Sequence, residues 1–195
     1  MRDEYKLKTA VGIAFFLLVV QVRGSSSFAS CSQSSSLLVS LRCEVTLDNS
    51  DLTFWSSDPS RDQSSAWLLY SYSSAREVGS YLLQAIKTGF AQQSPSQWRV
   101  YAGMTLNDMG FVEERTGLDW KSLEKRIFTL TKSIRAAHIR IDFVQVQFPV
   151  AGQNPIFSVT GFAAYPPVVF TYYVSDWSEC SEPCDGGTQE RDVAC

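Results

Sequence analysis

The chain lacks the sequence patterns that mark common classes of enzyme. It contains one histidine, His138, and a Ser-His-Asp or Cys-His arrangement would depend on it, yet no G-x-S-x-G nucleophile turn is present. The H-E-x-x-H motif of zinc metalloproteases is also absent. We therefore predict no enzymatic activity, no catalytic residue and no cofactor, and we interpret His138 as an ordinary histidine at the start of a strand.

Acceptor sites for N-linked glycans and strong charge are missing as well. None of Asn49, Asn107 and Asn154 stands in an N-x-S/T sequon. The formal net charge of −3 is too small to predict a nucleic-acid partner or an acidic membrane partner. The acidic turn at residues 48–51 lacks the full set of oxygen ligands of a calcium loop, so no metal site is predicted.

No apolar run approaches the roughly 20 residues that a membrane-spanning helix needs. The longest run, residues 10–20, is about half that length and follows a lead that carries Arg2, Lys6 and Lys8. We expect residues 1–24 to be a signal peptide, with cleavage near Ala29 or Ser30 and an uncleaved anchor as alternatives. The protein is then secreted or lies on the extracellular face of the plasma membrane, and it meets a membrane only through a longer full-length chain.

Five cysteines are present, and in an oxidising compartment most cysteines pair. Cys31 and Cys43 bracket a short serine-rich segment. Their disulfide would close a small loop and stabilise the fold by about 3 kcal/mol. We predict this disulfide, with two free thiols as the alternative.

The other three cysteines form a spaced pattern at the end of the chain. Trp177 is followed by Cys180 and Cys184, a double glycine at 186–187, Arg191 and Cys195. This pattern resembles the opening half of a thrombospondin type 1 repeat, W-S-x-C-S-x-x-C-G-x-G-x-x-x-R-x-x-x-C. The same cysteines could be considered zinc ligands, but a secreted chain without a nearby histidine disfavours that interpretation.

The resemblance implies a thin three-stranded ribbon that depends on cross-links and on stacking of tryptophan with arginine. In such repeats the first three cysteines pair with the last three, so Cys180, Cys184 and Cys195 would lack partners in this chain. Trp177 and Arg191 would form the one Trp-Arg stack, worth about 0.5–2 kcal/mol. Trp177 is a candidate for C-mannosylation, whereas Pro183 stands where the O-fucose acceptor would be.

The region between the leader and the repeat predicts a single mixed domain, residues 37–174, after a flexible serine-rich lead-in at 25–36. Alternating or aromatic-rich runs predict strands at residues 39–47, 52–55, 66–72, 97–102, 139–148, 156–164 and 168–174. A bulge is expected at the Phe143–Val144 step. Helical spacing after a Ser74–Glu77 capping box predicts a helix over 75–88.

A second helix is predicted over 119–135, capped by Asp119, because its charges avoid the apolar stripe. Residues 127–131 could form a strand instead. The predicted fold class is α+β, with a largely antiparallel sheet and two helices, followed by the truncated ribbon. The second helix would carry five basic side chains that could bind a sulfated glycan: Lys121, Lys125, Arg126, Lys132 and Arg135.

These observations favour an extracellular adhesion or matrix-interaction protein that acts by binding through thrombospondin-type repeats. Its expected partner is an extracellular protein or a sulfated glycan. Two alternatives remain open, namely the non-catalytic N-terminal region of a secreted multidomain protease and the ectodomain of a membrane-tethered receptor.

Overall fold

The computed structural model describes residues 28–62, 64–87, 93–168, 173–174, 176–177 and 193–194. Its regular structure there is almost entirely antiparallel β-sheet. The strands are β1 Ser30–Gln33, β2 Trp55–Ser56, β3 Ala66–Gln84, β4 Pro95–Gly103, β5 Gly110–Arg115, β6 Lys125–Val146, β7 Ser158–Val159, β8 Gly161–Tyr165, β9 Tyr173–Val174 and β10 Val193–Ala194. The helices of this part are two short 3-10 helices, Val39–Leu41 and Cys43–Leu47.

Two long strands make the fold a two-layered sandwich. In the first layer the strand order is β1-β3-β6-β4-β5. The later half of β3 pairs with the first half of β6 on one side and with β8 on the other, which forms the second layer. Register shifts in β3 between Ser71 and Arg76 and between Val78 and Ser80 allow both strands to turn the corner between layers.

Aromatic rings fill the space between the layers. Tyr70 on β3 stacks on Phe162 of β8 with ring centroids 4.1 Å apart. On the other side, Trp98 of β4 is fully buried and its Nε1 donates to the Tyr81 hydroxyl at 2.9 Å. Phe128 packs against both rings. These rings come from both layers and contact each other between them. Separating the layers would therefore expose the aromatic core to water.

The helix predicted over residues 75–88 is wrong. Residues up to Gln84 belong to β3, and Thr88 lies outside the described residues. Tyr81 and Leu83 are buried while Leu82 between them is half-buried, which is the period of a strand. Pairing with β6 and β8 on both sides outweighs the local capping signal.

The helix predicted over residues 119–135 is wrong as well, so the fold is not α+β. Residues from Lys125 onward form β6. The alternative interpretation of residues 127–131 as a strand is therefore confirmed. Ile127 is an apolar residue that the predicted helix would bury, yet it is 61% exposed, whereas Phe128 and Leu130 are buried. β-branched Ile127, Thr129 and Thr131 suit one face of a strand, and Asp119 caps no helix here.

The strand predicted over residues 39–47 is replaced by the two 3-10 helices. Val39 is largely exposed there, and the buried residues of the second helix are Cys43 and Thr46. The expected bulge beside Phe143 is present. Trp98 pairs with Phe143 and Gln97 pairs with Gln145, so Val144 between them has no register partner on β4.

The predicted Cys31–Cys43 disulfide is present in the structure. It ties the second 3-10 helix to edge strand β1. Two further contacts support this attachment: the Cys43 N–H donates to Gln33 Oε1 at 2.6 Å, and Thr46 Oγ1 lies 2.8 Å from the Tyr70 hydroxyl. The serine-rich segment thus contributes a paired strand, β1, to the sandwich.

Replacing Cys31 and Cys43 together by serine is expected to lower the free energy of unfolding by about 3 kcal/mol, because the unfolded chain regains the entropy of a short loop. Guanidinium unfolding followed by tryptophan fluorescence measures the change. Dithiothreitol should destabilise the wild type by a similar amount and leave the double variant unaffected. Equal stability of the two proteins without reductant would contradict this role of the disulfide.

Burial of tyrosine makes the sandwich sensitive to alkali. Burial raises the pKa of Tyr72 to about 12, above its unfolded value of about 10. The neutral ring therefore stabilises the fold below pH 10, and this contribution is lost as pH rises from 10 toward 12. Burial also raises the pKa of Tyr70 and Tyr81.

We expect the free energy of unfolding to fall between pH 10 and 12, and Tyr72→Phe to make that fall shallower. Urea unfolding at pH 8, 10 and 11 measures the effect. The Tyr72 ring stacks on Phe28 at 4.5 Å, a contact that phenylalanine retains. An identical pH dependence of wild type and variant would show that the Tyr72 proton does not contribute.

The end of the chain is described only in part. Tyr173–Val174 pairs antiparallel with Val193–Ala194, and Trp177 is 57% exposed. The expected leader, Cys180, Cys184, Cys195 and the arginine of the Trp177–Arg191 stack lie outside the described residues. Within the described ranges, no helix is long and apolar enough to cross a membrane.

Candidate functional site

The chain enters and leaves the sandwich beside the same corner of β3, residues 72–79. Phe28 stacks on Tyr72 and lies 5.5 Å from the ring of Phe162. Pro167 packs so closely on Gly79 that a Cβ at Gly79 would stand 2.3 Å from the Pro167 Cα. We call this end the proximal end.

The distal end is the opposite end of the first layer. There β1 ends at Gln33, β3 begins at Ala66, and β6 ends near the start of β4, with Val146 opposite Pro95. Ala66 and Tyr72 are six positions apart on β3, which is about 20 Å of strand. The distal end is therefore separated by about that distance from the corner at which Phe28 stacks on Tyr72.

The distal end carries a pocket, which we call the distal pocket, with a volume of about 190 Å³. Its wall combines apolar side chains with carboxamides. The apolar members are Val144, Val146, Phe148, Pro149, Val150, Pro155 and Ile156, and the carboxamides are Gln93, Gln145, Gln153 and Asn154. Phe148 is 59% exposed, so one ring at the wall is open to solvent.

Internal contacts hold the loop that forms most of this pocket. The Gln153 N–H donates to the Val150 carbonyl at 3.1 Å, which closes a turn in which Gly152 has a φ of +76° that favours glycine. Asn154 Nδ2 donates to the Pro59 carbonyl at 3.0 Å. Gln93 Oε1 accepts from Ser158 Oγ at 2.8 Å. The carboxamides of Asn154 and Gln93 are therefore attached to neighbouring loops and strands before any ligand arrives.

A buried network fixes the adjacent loop. Asp62 Oδ2 accepts hydrogen bonds from Ser34 Oγ at 2.8 Å and from Ser35 Oγ. The Ser35 Oγ also accepts from the Asp58 N–H at 2.8 Å, and the Ser35 carbonyl accepts from Trp55 Nε1 at 3.0 Å. These bonds satisfy the polar groups of the serine-rich segment and stabilise the loops of the distal end.

A wall of this kind suits a small polar ligand with one apolar face. The exposed ring and the proline side chains can pack against the C–H groups of such a ligand, and each carboxamide offers it both donors and an acceptor. A sugar ring has this combination of C–H faces and hydroxyl edges.

The two parts of the chain are similar to different known proteins. Residues 172–195 match the family model described as the thrombospondin type 1 domain. This segment is similar to part of a thrombospondin type 1 domain. The resemblance predicted for the cysteine-rich end is thereby confirmed, and no family model covers the part before it. A search of curated protein sequences gives no match.

The sandwich is similar to solved carbohydrate-binding modules. A module from a family 31 glycoside hydrolase of Clostridium perfringens has a TM-score of 0.62 at 12% identity, covering 73% of this chain and 93% of that one. A second module of C. perfringens, in complex with GalNAc-β-1,3-galactose, gives 0.59 at 11% identity, covering 70% and 94%. A module of AlyQ, in complex with 4,5-unsaturated mannuronic acid, gives 0.52 at 18% identity, covering 71% and 95%. These likenesses identify the fold as a jelly-roll β-sandwich and correct the predicted α+β class.

The structure does not place the five predicted basic side chains on one helical face. Lys125 pairs with Asp51 at 3.4 Å, and Arg135 lies 3.9 Å from Glu77. Along a strand these two positions are separated by up to about 33 Å, compared with about 15 Å along a helix. Arg126 is stacked over Trp120 at 4.9 Å, while Lys121 and Lys132 are exposed. Binding of a sulfated glycan by these side chains stays a prediction.

His138 lies within β6, between its ends, and not at the start of a strand. Its Nδ1 is 2.8 Å from Ser71 Oγ across the β3–β6 pair, on the outer face of the first layer. Trp177 is accessible, and its C-mannosylation stays a prediction.

The distal pocket is not among the sites predicted from the sequence. The segment 148–156 reads F-P-V-A-G-Q-N-P-I, in which two prolines and a glycine predict a loop. Its apolar residues have no strand or helix to pack with inside such a loop. That combination of exposed apolar residues with neighbouring carboxamides is the signal that could have identified the site.

Proposed function

We propose that this protein binds glycans outside the cell through the distal pocket. The observation that carries the proposal is a pocket whose lining combines an exposed phenylalanine ring with four carboxamides. The jelly-roll likeness to carbohydrate-binding modules supports it, because two such modules were solved with sugars bound.

The arrangement of the chain fits a role in adhesion. The distal pocket lies at the end of the sandwich opposite the one from which the chain continues toward the thrombospondin-type segment. A glycan on another cell or in the matrix could then be bound without obstruction, while the repeat contributes a second contact. Two linked weak contacts bind more tightly than either alone because the second event is intramolecular.

The same geometry would serve a binding module attached to a secreted enzyme, which is the principal alternative. One of the similar modules belongs to a glycoside hydrolase. In that case the pocket would bind a glycan and so hold the attached enzyme near it. The sequence of the full-length protein distinguishes the two, since further thrombospondin-type repeats favour adhesion and a catalytic motif favours the enzyme.

A glycan array probed with the secreted, fluorescently labelled chain tests the proposal. We expect retention on a restricted set of glycans and competition by the corresponding free sugar. A chain denatured by heat is the control for adsorption through exposed apolar groups. Absence of any saturable, sugar-competed signal with folded protein would contradict glycan binding.

A further inference from the structure

Among the residues that the structure describes, the distal pocket contains no charged side chain, and from this we infer that its ligand is a single neutral sugar residue. The inference rests on the proposed glycan-binding function and specifies the class of sugar. Every lining side chain is apolar or a carboxamide. Residues 88–92, which precede Gln93 and lie outside the described residues, read T-G-F-A-Q and carry no ionisable group either.

The fold leaves the charge of the ligand open. One similar module was solved with a neutral disaccharide and another with a uronic acid, which is an anion. The charge of the ligand must therefore be inferred from the lining of this chain's own pocket. A carboxylate or sulfate needs an arginine, a lysine or several N–H donors aimed at it when it leaves water, and an apolar wall with carboxamides gives only partial compensation.

Two arginines on neighbouring elements form ion pairs outside the distal pocket. Arg61 lies 3.9 Å from Asp58, and Arg99 pairs with Glu114 at 3.2 Å. Neither arginine lines the distal pocket. A charged sugar in the pocket would thus lose hydration without gaining a cation, whereas hydroxyls of a neutral sugar match the mixed donors and acceptors of carboxamides.

The size of the pocket limits the ligand to about one ring. A cavity of about 150 Å³ accommodates one benzene molecule, and the distal pocket measures about 190 Å³. One six-membered sugar ring fits this space, while further residues of an oligosaccharide would lie in solvent. We therefore expect recognition of one residue, such as the end of a glycan chain, instead of an extended segment.

Matched pairs of sugars that differ only in charge test the inference on the full chain by calorimetric or NMR titration. The pairs are galactose with galacturonic acid, glucose with glucuronic acid, and N-acetylglucosamine with its 6-sulfate. In the pair that binds best, we expect the anion to bind at least about tenfold more weakly than the neutral sugar. Extending the neutral sugar to a trisaccharide should change the affinity by less than about fivefold.

The variant Gln153→Arg supplies the cation that the pocket lacks. Gln153 is an exposed loop residue, so the substitution should preserve the fold, which circular dichroism verifies. We expect the ratio of anion to neutral affinity to rise by about tenfold. Thr131→Arg, which adds the same cation at an exposed residue of β6 outside the pocket lining, should leave the ratio unchanged.

The outcomes distinguish a failure of glycan binding from a failure of the inferred preference for one neutral sugar residue. Binding of no sugar, charged or neutral, would overturn the proposed function itself. Binding of anionic sugars as tightly as or more tightly than their neutral partners would overturn the present inference and leave glycan binding intact. A strong gain with each added residue would contradict recognition of a single ring.

Discussion

Gly79→Ala is expected to lower the free energy of unfolding by about 3 kcal/mol. A methyl group at this buried position of β3 would stand 2.3 Å from the Cα and 2.7 Å from the nitrogen of Pro167. Both atoms belong to the backbone, so no side-chain rotation relieves the overlap and the chain after β8 must move. Chemical unfolding followed by tryptophan fluorescence measures the loss, because Trp55 and Trp98 are fully buried.

Gly110→Ala is the matched control. Gly110 begins edge strand β5, and a Cβ there meets no atom within 4 Å. Alanine should change the free energy of unfolding by less than about 1 kcal/mol, in the stabilising direction, since it restricts the unfolded chain more than glycine does. Equal effects of the two substitutions would show that the contact between the corner of β3 and Pro167 does not hold the chain at the proximal end.

Phe148→Ala is expected to weaken sugar binding by at least about tenfold. The ring is the exposed aromatic group of the distal pocket, and covering such a side chain is worth about 1.5–3 kcal/mol. Because 59% of the side chain is already exposed, its removal should cost the fold little. Titration with the best sugar found on the array measures the affinity, and urea unfolding measures stability.

Phe111→Ala is the corresponding control, since Phe111 is 60% exposed and lies on β5 outside the pocket. Its ring makes an edge contact with Tyr101 at 5.9 Å. We expect wild-type sugar affinity for this variant. If Phe111→Ala weakened binding as much as Phe148→Ala, or if neither did, the site would lie elsewhere on the molecule.

The layers of the sandwich were only partly predictable from the sequence. Strands with simple alternation, such as the start of β3 and most of β4, are predicted at about the positions where the structure has them. The segment from Ile127 to Ile134 satisfies both a helical and a strand period, because apolar residues recur at several spacings. What decides between them is pairing with β3, whose residues lie some 50 positions earlier in the chain, and local periodicity carries no information about such partners.

The distal pocket could not be predicted for a related reason. Gln93 and Asn154 are far apart in sequence and meet only because β4 and β6 are neighbours in the first layer. The disulfide and the thrombospondin-type segment, by contrast, depend on short spacings of cysteine, tryptophan and glycine that are visible directly. The sequence therefore predicted the local cross-link and the repeat, while the glycan-binding surface required the topology.

The most direct test of glycan binding at the distal pocket is a map of backbone amide shifts on titrating the isotope-labelled chain with the sugar that the array selects. We expect saturable shifts concentrated in residues 144–156 and at Gln93, with His138 and the rest of the outer sheet face unaffected. Saturable shifts confined to another surface, such as the strand that carries Lys125 and Arg135, would contradict it.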